Sequence, residues 1–454
     1  MEADPRALRK HWPLFAVLIA YVVIGALYAW RVPAWQTPDE PAHYNYIRQL
    51  AQTGAFPVIE MGDYDQQFLA EHVQPPKVRP AVSLDAVQYE DHQPPLFYAL
   101  AVPVFNLFGG ALLPLRVFSL LIGALTIVFA YLALLTVFPA QPALAPLVCV
   151  VAALIPQHLH MMAGLNNDAL AEALIALTVL LCTRLLMAAD RPAGQSPRLL
   201  VALGVVVGFS FLTKATAYLT LPIALAAALG ATWRRRPLKS VALALGVVIV
   251  IAVVIGLPWW LRSMQVYGGL DLLGLQRHNE VVVGQPTTRE WLAQFGPASF
   301  LLRMAQTTFQ SFWGQFGWMS VVMNNWMYAL LLGCTGLSML LFAAWWIRTT
   351  LTLAGRLALT ATQRQTLSLC ALLGLGTLVG FIWYNVQFVQ HQGRYLYAGL
   401  IPFATAVALG WMFAASRWPR IQQWLWAALL IGLAGFNLYL LWRVVLPGMD
   451  AALF

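Results

Sequence analysis

The sequence is poor in charged residues. Of its 454 residues only 10% are Asp, Glu, Lys or Arg, whereas 60% are hydrophobic. Soluble domains carry about 25% charged residues, so a pair of soluble domains is a poor description of this chain. Apolar runs of about 20 residues recur along it, which is the length that a helix needs to cross a bilayer. The composition therefore predicts a polytopic membrane protein.

Cysteine pairs and nucleotide-binding motifs are also missing. The four cysteines (Cys149, Cys182, Cys334 and Cys370) lie in apolar segments and form no CxxC pair. This pattern argues against a disulfide framework and against a thiolate metal site. The sequence has no glycine-rich phosphate loop and no Rossmann fingerprint, and no unit of about 20–50 residues repeats, which excludes a solenoid.

Eleven apolar segments are long enough to span a membrane. A further run, 94–110, is predicted to be an interfacial or re-entrant helix on the outer surface, because counting it as a span would place a basic loop outside. The first span follows a basic flank and is predicted to be a retained signal anchor. The spans are roughly 13–31, 113–137, 143–163, 168–187, 198–213, 215–233, 238–257, 326–347, 366–388, 395–415 and 422–443.

The basic residues predict the orientation of these spans. Arg6, Arg9 and Lys10 precede the first span, so the positive-inside rule places the N-terminus in the cytoplasm. Alternation then places the other basic short loops inside, and the net charge of +9 is explained by topology and anionic lipid. We expect a multi-pass protein of the inner (plasma) membrane. Its predicted parts are a core of seven spans (1–257), a second long outer loop (258–325) and a four-span module (326–454).

Six polar clusters fall on the outer side of this topology. Ionisable groups at membrane depth are candidates for function, and the first outer loop alone carries nine of the eighteen acidic residues. Nucleotide-activated substrates are absent from that side, so a substrate there must be activated by something that the membrane delivers. The clusters are "TPDEPAHY", "EDHQPPLFY", "GLNNDALAEAL", "FLTKATAY", "GLPWWLRSMQVYGG" and "VQHQGRYLYAG".

These clusters also have structural interpretations, which the sequence leaves open. Asp39 and Glu40 could be the start of a helix with Pro41 in its first turn. The "NND" of the third cluster could cap the fourth span. Lys214 could snorkel to the interface, and the "WW" pair could belong to the aromatic belt.

The order and sidedness of the clusters resemble the GT-C superfamily of integral-membrane glycosyltransferases. The adjacent Asp39 and Glu40 are similar to the protein O-mannosyltransferase and aminoarabinose-transferase branch. "HQPPLFY", "NNDAL", "LTKAT", "PWWLRSMQVYG", "FWGQFGW" and "QGRYLY" resemble polyprenyl-phosphate-sugar transferases of that branch. The resemblance implies an all-α bundle of about 11 spans with interfacial helices in the first outer loop. Only Asp168 is acidic after the third span, so no DxD-type motif supports a divalent metal.

The resemblance also implies a reaction. A sugar would pass from a polyprenyl phosphate donor to an acceptor hydroxyl on the outer face, with inversion. The phosphate is a good leaving group, but the hydroxyl needs a general base. We expect Asp39 to be that base, and Glu40 to raise the proton affinity of the pair or to orient the acceptor.

The departing phosphate needs cations. Lys214 and Arg394 are the first expectations, with Arg262 and His391 as alternates. The other residues expected to bind substrates are His43, Tyr44, His92, Gln93, Asn167, Asp168, Trp259, Trp260, Tyr267, Gln392 and Tyr395.

Two other functions fit parts of the sequence. A lipid or glycolipid transporter without transfer chemistry would carry charged residues deep within its spans, whereas here they collect at one face. In an accessory subunit the acidic pair would be idle. For an enzyme, the expected partners are a polyprenyl-phosphate-linked sugar, membrane lipid, and an acceptor lipid, glycan or protein, but no nucleic acid.

Overall fold

The structure, a computed structural model, describes residues 11–72, 83–190, 196–233, 237–351 and 359–450. These residues form a bundle of helices with one two-stranded antiparallel hairpin. The helices of the first part are α1 (Trp12–Arg31), α2 (Glu40–Thr53), α3 (Gln66–His72), α4 (Leu96–Leu107), α5 (Leu112–Val137), α6 (Leu144–Leu154), α7 (Pro156–Met162), α8 (Asp168–Ala189), α9 (Pro197–Phe211), α10 (Thr220–Thr232) and α11 (Leu238–Tyr267).

The rest of the described chain is also mainly helical. Its elements are α12 (Leu275–Val281), α13 (Thr288–Trp313), β1 (Gln315–Phe316), β2 (Val321–Val322), α14 (Asn325–Leu351), α15 (Ala361–Gln387), α16 (Leu400–Ala414), α17 (Pro419–Leu440) and α18 (Leu446–Asp450). Short 3-10 segments, Ala215–Leu219 and Gly393–Gly399, precede α10 and α16.

The predicted all-α transmembrane fold is confirmed. In the described parts of the chain, nine helical segments are long and apolar enough to cross a membrane. They contain nine of the eleven predicted spans. The basic residues that set the orientation are partly outside the described residues (Arg6, Arg9, Lys10, Arg191, Arg356 and 234–236).

The two other predicted spans differ from straight membrane-crossing helices. The third, 143–163, is α6 followed by α7, with a bend of 70° between them. The break falls at Ile155, which is extended because it precedes Pro156, and Pro156 cannot donate to the preceding turn. The fifth, 198–213, is the 15-residue helix α9.

The predicted interfacial helix is α4. Its 12 residues reach about 18 Å at 1.5 Å per residue, which is too short for a hydrocarbon core of about 30 Å. It packs instead against α2 of the first outer loop.

Small residues allow some of the helices to approach closely. A Cβ atom on Gly208 of α9 would lie 2.6 Å from the Cβ of Ile255 on α11. A Cβ atom on Gly410 of α16 would lie 2.7 Å from the backbone nitrogen of Phe342 on α14. Van der Waals contact between such closely packed backbones is a main source of helix association in lipid.

Contacts at the two ends of the bundle show which helix ends lie together, and so how the direction of successive helices alternates. At one end, Gln363 Nε2 at the start of α15 donates to the carbonyl of Val137 at the end of α5 (3.0 Å). At the other end, the polar clusters found in the sequence meet. Asn167 at the start of α8 contacts Gln93 before α4, and Arg394 after α15 contacts Asp39 after α1.

Candidate active site

Two adjoining chambers lie among the clustered helix ends. The mixed chamber has a volume of about 400 Å³ and combines charged groups with an apolar wall that includes Leu219 and Phe381. The polar chamber has a volume of about 180 Å³ and is lined by side chains such as Tyr64, Gln390 and Gln392. Six residues line both chambers and form what we call the junction: Asp39, Glu90, His278, Tyr384, Arg394 and Tyr395.

Asp39 lies at the junction with both carboxylate oxygens engaged. Tyr89 donates to its Oδ1 (2.8 Å), and Arg394 pairs with its Oδ2 (2.6 Å). Burial acts to raise the pKa of the Asp39 carboxyl, but Arg394, His43 and the hydrogen bond from Tyr89 together hold it below its usual value. The carboxylate is therefore ionised, and Arg394 is the strongest charge that keeps it so.

The backbone around Asp39 is strained. Among the described residues, the four non-glycine residues with positive φ are Trp35, Asp39, Trp318 and Met319. Three of them, Asp39, Trp318 and Met319, line the polar chamber, and Trp318 Nε1 donates to the carbonyl of Trp35 (2.8 Å). Left-handed backbone at non-glycine residues is costly and clusters at functional sites. Here it turns the Asp39 side chain toward the junction just before α2 begins.

Glu40 points away from both chambers. Arg116 of α5 donates through Nε to Glu40 Oε1 (2.7 Å) and through its terminal nitrogen to Oε2 (2.6 Å). The backbone nitrogens of Trp35 and Leu165 also donate to this carboxylate. Glu40 is 0% exposed. Glu40 is therefore held at the base of the loop and is not among the residues that line either chamber; that it raises the proton affinity of Asp39 or orients the acceptor stays a prediction.

The predicted cation Lys214 lines the mixed chamber. It forms an ion pair with Asp168 Oδ1 (2.7 Å), and the predicted substrate residue Asp168 is not itself among the residues that line either chamber. Burial acts to lower the pKa of Lys214, but Asp168 and Glu90 raise it above its usual value. Lys214 is therefore charged, and both cations expected to bind phosphate face one chamber.

A network of aromatic and amide side chains supports the chambers from behind. His43 Nδ1 and Tyr98 Oη are joined by a hydrogen bond (2.9 Å). The Tyr98 ring stacks on Tyr46 at 3.6 Å, and Asn167 Nδ2 reaches Tyr98 Oη at 3.4 Å. His43 and Asn167 are thus one layer removed from the cavity. In contrast, four other predicted site residues line a chamber directly: His92, Gln93, Gln392 and Tyr395.

Several predicted site residues have other partners. Arg262 donates to the carbonyls of Phe56 and Pro57 and lies over the ring of Trp259, which ties the first outer loop to α11. Trp260 donates to Tyr218 Oη (2.7 Å), and Tyr218 lines the mixed chamber.

Three further predicted residues also lie away from the chambers. Tyr44 donates to the carbonyl of Gly110 (2.8 Å), and the hydroxyl of Tyr267 accepts from the backbone nitrogen of Ile59. His391 is 3% exposed and packs against the ring of Phe300. None of the three is among the residues that line either chamber.

The sequence prediction missed three of the six junction residues, Glu90, His278 and Tyr384, and also Tyr89, which donates to Asp39. Glu90 is the first residue of the "EDHQPPLFY" cluster and Tyr89 precedes it, so both could have been selected with it. His278 lies in the polar run "QRHNE" on the short α12, which was not selected, and Tyr384 lies on the apolar α15, where no polar cluster draws attention to it.

Asp91, next to Glu90, is buried behind the site and is neutral in the folded protein. Burial, helped by the negative charges of Asp63 and Glu90, raises the pKa of its carboxyl to about 9. In the unfolded chain an Asp has a pKa of about 3.9. The stability contributed by this group is thus fully present below pH of about 4 and is lost as the pH rises through about 9.

We therefore expect Asp91→Asn to remove a pH-dependent loss of stability. The variant should unfold at least about 2 °C above the wild type at pH 8, and the two should converge near pH 4. Thermal unfolding in detergent across this pH range measures the difference. Asp65→Asn, at an exposed position, is the control, and an equal response of both variants would contradict the assignment.

The donor set does not match a metal site. Within the described ranges, no group of three or more His, Cys, Asp or Glu side chains is placed to hold a metal ion. Asp39 and Asp168 are instead each paired with a cationic side chain.

Comparison with known proteins gives one match to a family. Residues 92–260 match the family described as dolichyl-phosphate-mannose-protein mannosyltransferase. The matched segment covers more than a third of the chain and includes His92, Asp168 and Lys214, but neither Asp39 nor Glu90. No curated protein sequence matches the chain at a significant level.

Solved structures of the same fold cover nearly the whole chain. ArnT from Cupriavidus metallidurans, bound to undecaprenyl phosphate, aligns with a TM-score of 0.53 at 15% identity, over 97% of this chain and 74% of that chain. The oligosaccharyltransferase AglB from Archaeoglobus fulgidus, in complex with an inhibitory peptide and a dolichol-phosphate, aligns with a TM-score of 0.52 at 16% identity, over 98% of this chain and 56% of that chain. The resemblance inferred from the motifs is confirmed, and the chain has the GT-C fold of the integral-membrane glycosyltransferases.

Proposed function

We propose that the protein is a membrane glycosyltransferase that moves a sugar from a polyprenyl phosphate donor to an acceptor hydroxyl. The family match and the fold both support an enzyme with a lipid-linked donor. One observation carries the proposal. Asp39 lies at the junction of two chambers, beside two cations and an apolar wall.

The mixed chamber suits the donor. Lys214 and Arg394 provide positive charge for the phosphate, and Leu219 and Phe381 offer apolar surface for the adjoining prenyl chain. Arg394 Nε is buried and has no hydrogen-bond partner. Since a buried donor without a partner costs free energy, a phosphate oxygen at this position would be stabilising.

Asp39 is the proposed general base of an inverting transfer. The acceptor oxygen attacks the anomeric carbon, its proton passes to Asp39, and the bond to phosphate breaks with its electron pair leaving on the phosphate. Lys214 and Arg394 stabilise that negative charge. A phosphate that pairs with Arg394 also weakens the ion pair between Arg394 and Asp39. Because this ion pair lowers the pKa of Asp39, the proton affinity of Asp39 rises when the donor is bound.

The polar chamber suits the acceptor. It includes Asp39 in its lining and is also lined by amide groups such as Gln285, Gln390 and Gln392. Amide side chains can both donate to and accept from a hydroxyl-rich or peptide acceptor. Glu40 lines neither chamber, so the proposal assigns it no contact with the acceptor.

The proposed location is the inner (plasma) membrane, with a cytoplasmic N-terminus and the junction on the outer face. The distribution of basic residues supports this orientation. The division of the chain at residues 257 and 325 also stays a prediction.

The transporter alternative receives less support. A carrier would need a path for charge through the bundle, whereas the charged groups of the two chambers gather at one end of it. Only one buried acid–histidine contact within the described spans lies further in, between Glu172 and His158 (2.8 Å), and Glu172 is a single helical turn from Asp168.

Binding of undecaprenyl phosphate to the purified protein in nanodiscs tests the donor assignment. Lys214→Ala and Arg394→Ala should each weaken binding by about tenfold or more, because each removes a charge-assisted contact to phosphate. Lys239→Ala and Arg289→Ala remove exposed cations and should bind like the wild type. Wild-type affinity in both site variants would refute the donor assignment.

A further inference from the structure

Glu90 is the exception among the acidic residues around the chambers. Asp39 is paired with Arg394 at 2.6 Å and Asp168 with Lys214 at 2.7 Å. Glu90 forms no ion pair with any described residue, and its one hydrogen bond is accepted by Oε2 from Gln93 Nε2 (2.8 Å). A carboxylate that faces a cavity with an open oxygen is available to a ligand.

The position of Glu90 indicates which part of a ligand it would meet. It is one of the six junction residues, so it lines both the mixed chamber and the polar chamber. When the lipid phosphate occupies one chamber and the acceptor the other, the group that is transferred must lie at the junction. His278 of α12 belongs to the same junction. Its ring packs against that of His92 with centroids 4.6 Å apart, and its Nδ1 lies 3.2 Å from Asn279 Oδ1.

The charges around Glu90 and His278 favour a ligand that brings hydrogen-bond donors to the junction. Burial raises the pKa of the Glu90 carboxyl, and the negative charge of Asp39 adds to this effect, although His43 and Lys214 oppose it. Burial also lowers the pKa of His278, so its ring is neutral and can accept or donate one hydrogen bond. Neighbouring hydroxyls of a pyranose or furanose ring supply two donors at the spacing of one carboxylate.

We propose that Glu90, with His278, binds hydroxyls of the transferred sugar and thereby sets which sugar the enzyme accepts. The proposal rests on the proposed function, because it deepens the role of the same cavity. It assigns Glu90 to the sugar rather than to the lipid phosphate, which Lys214 and Arg394 bind. It also separates Glu90 from its neighbour Asp91, which is 1% exposed and faces neither chamber.

The test compares lipids with and without a sugar. Undecaprenyl phosphate and its mannosyl, glucosyl, galactosyl and arabinosyl forms are titrated against the wild type, Glu90→Gln and Glu90→Ala in nanodiscs. The wild type should bind at least one sugar lipid about tenfold or more tightly than undecaprenyl phosphate. Glu90→Ala should lose this difference and Glu90→Gln most of it, whereas both should bind undecaprenyl phosphate like the wild type.

The controls separate the two proposals. Glu60→Ala removes an exposed acid of the same outer loop and should leave every affinity unchanged, and melting temperatures verify that all variants fold. If Glu90→Ala keeps the full preference for the sugar lipid, or if no sugar improves wild-type binding, the sugar subsite is refuted while donor binding stands. If the wild type does not bind undecaprenyl phosphate, the proposed function itself fails.

Discussion

Asp39→Asn is expected to turn over about a hundredfold more slowly than the wild type, or slower still, while it binds undecaprenyl phosphate normally. Removal of a general base typically costs this factor. The substitution is conservative at this position, because Asn tolerates the left-handed backbone (φ of 67°) and keeps an oxygen for the hydroxyl of Tyr89. The measurement is the initial rate at saturating donor, together with the affinity for undecaprenyl phosphate.

The control for this variant is Asp85→Asn. Asp85 lies in the same outer loop, and its side chain is 68% exposed, so its substitution should leave turnover unchanged. Normal turnover in Asp39→Asn would mean that Asp39 is only the start of α2 and that another group accepts the proton. Loss of donor binding together with turnover would instead assign Asp39 to positioning Arg394.

The sequence predicted the most about the parts of the molecule that lipid constrains. The spans follow from the length and polarity of the apolar runs, and nine of them appear as continuous helices. Asp39, Lys214 and Arg394 were selected because ionisable residues at membrane depth are costly and are usually functional. All three line the mixed chamber. The bend of the third span was not predicted, although Pro156 in its middle is the residue that breaks the helix.

Pairing between distant residues could not be predicted. Arg116 lies within an apolar run, and nothing local shows that it contacts Glu40, which is 76 positions away. Adjacent residues were equally hard to separate. Asp39 and Glu90 line the chambers, whereas their neighbours Glu40 and Asp91 do not. The local backbone conformation decides which of two adjacent side chains enters a cavity.

The predictions for Arg262 and Trp259 show how contacts within the protein can resemble a ligand site in the sequence. A cation beside an aromatic pair at a membrane surface is typical of an anion or sugar site. Here the same chemistry operates within the protein, since Arg262 lies 4.5 Å from the ring of Trp259 and holds the backbone of the first outer loop. A ligand site and an internal contact of this kind have the same residue types at the same spacing, and only the fold distinguishes one from the other.

The ion pair between Glu40 and Arg116 should be the strongest single polar contribution to the stability of the site. Both side chains are almost fully buried, and each removal leaves the other charge without a partner. Breaking such a pair costs about 3–5 kcal/mol. We therefore expect Arg116→Met to lower the thermal unfolding temperature in detergent markedly, and Glu40→Gln to do the same to a smaller extent, because the amide still accepts hydrogen bonds.

The double variant Glu40→Gln/Arg116→Met distinguishes a broken pair from general damage to the fold. It buries no unpaired charge, so it should be more stable than Arg116→Met alone, and the coupling between the two changes measures the interaction. The matched control is Arg48→Met, which removes the arginine of the more exposed pair with Asp85 and should cost less than about 1 kcal/mol. If Arg116→Met unfolds at the same temperature as Arg48→Met, the pair does not anchor the loop.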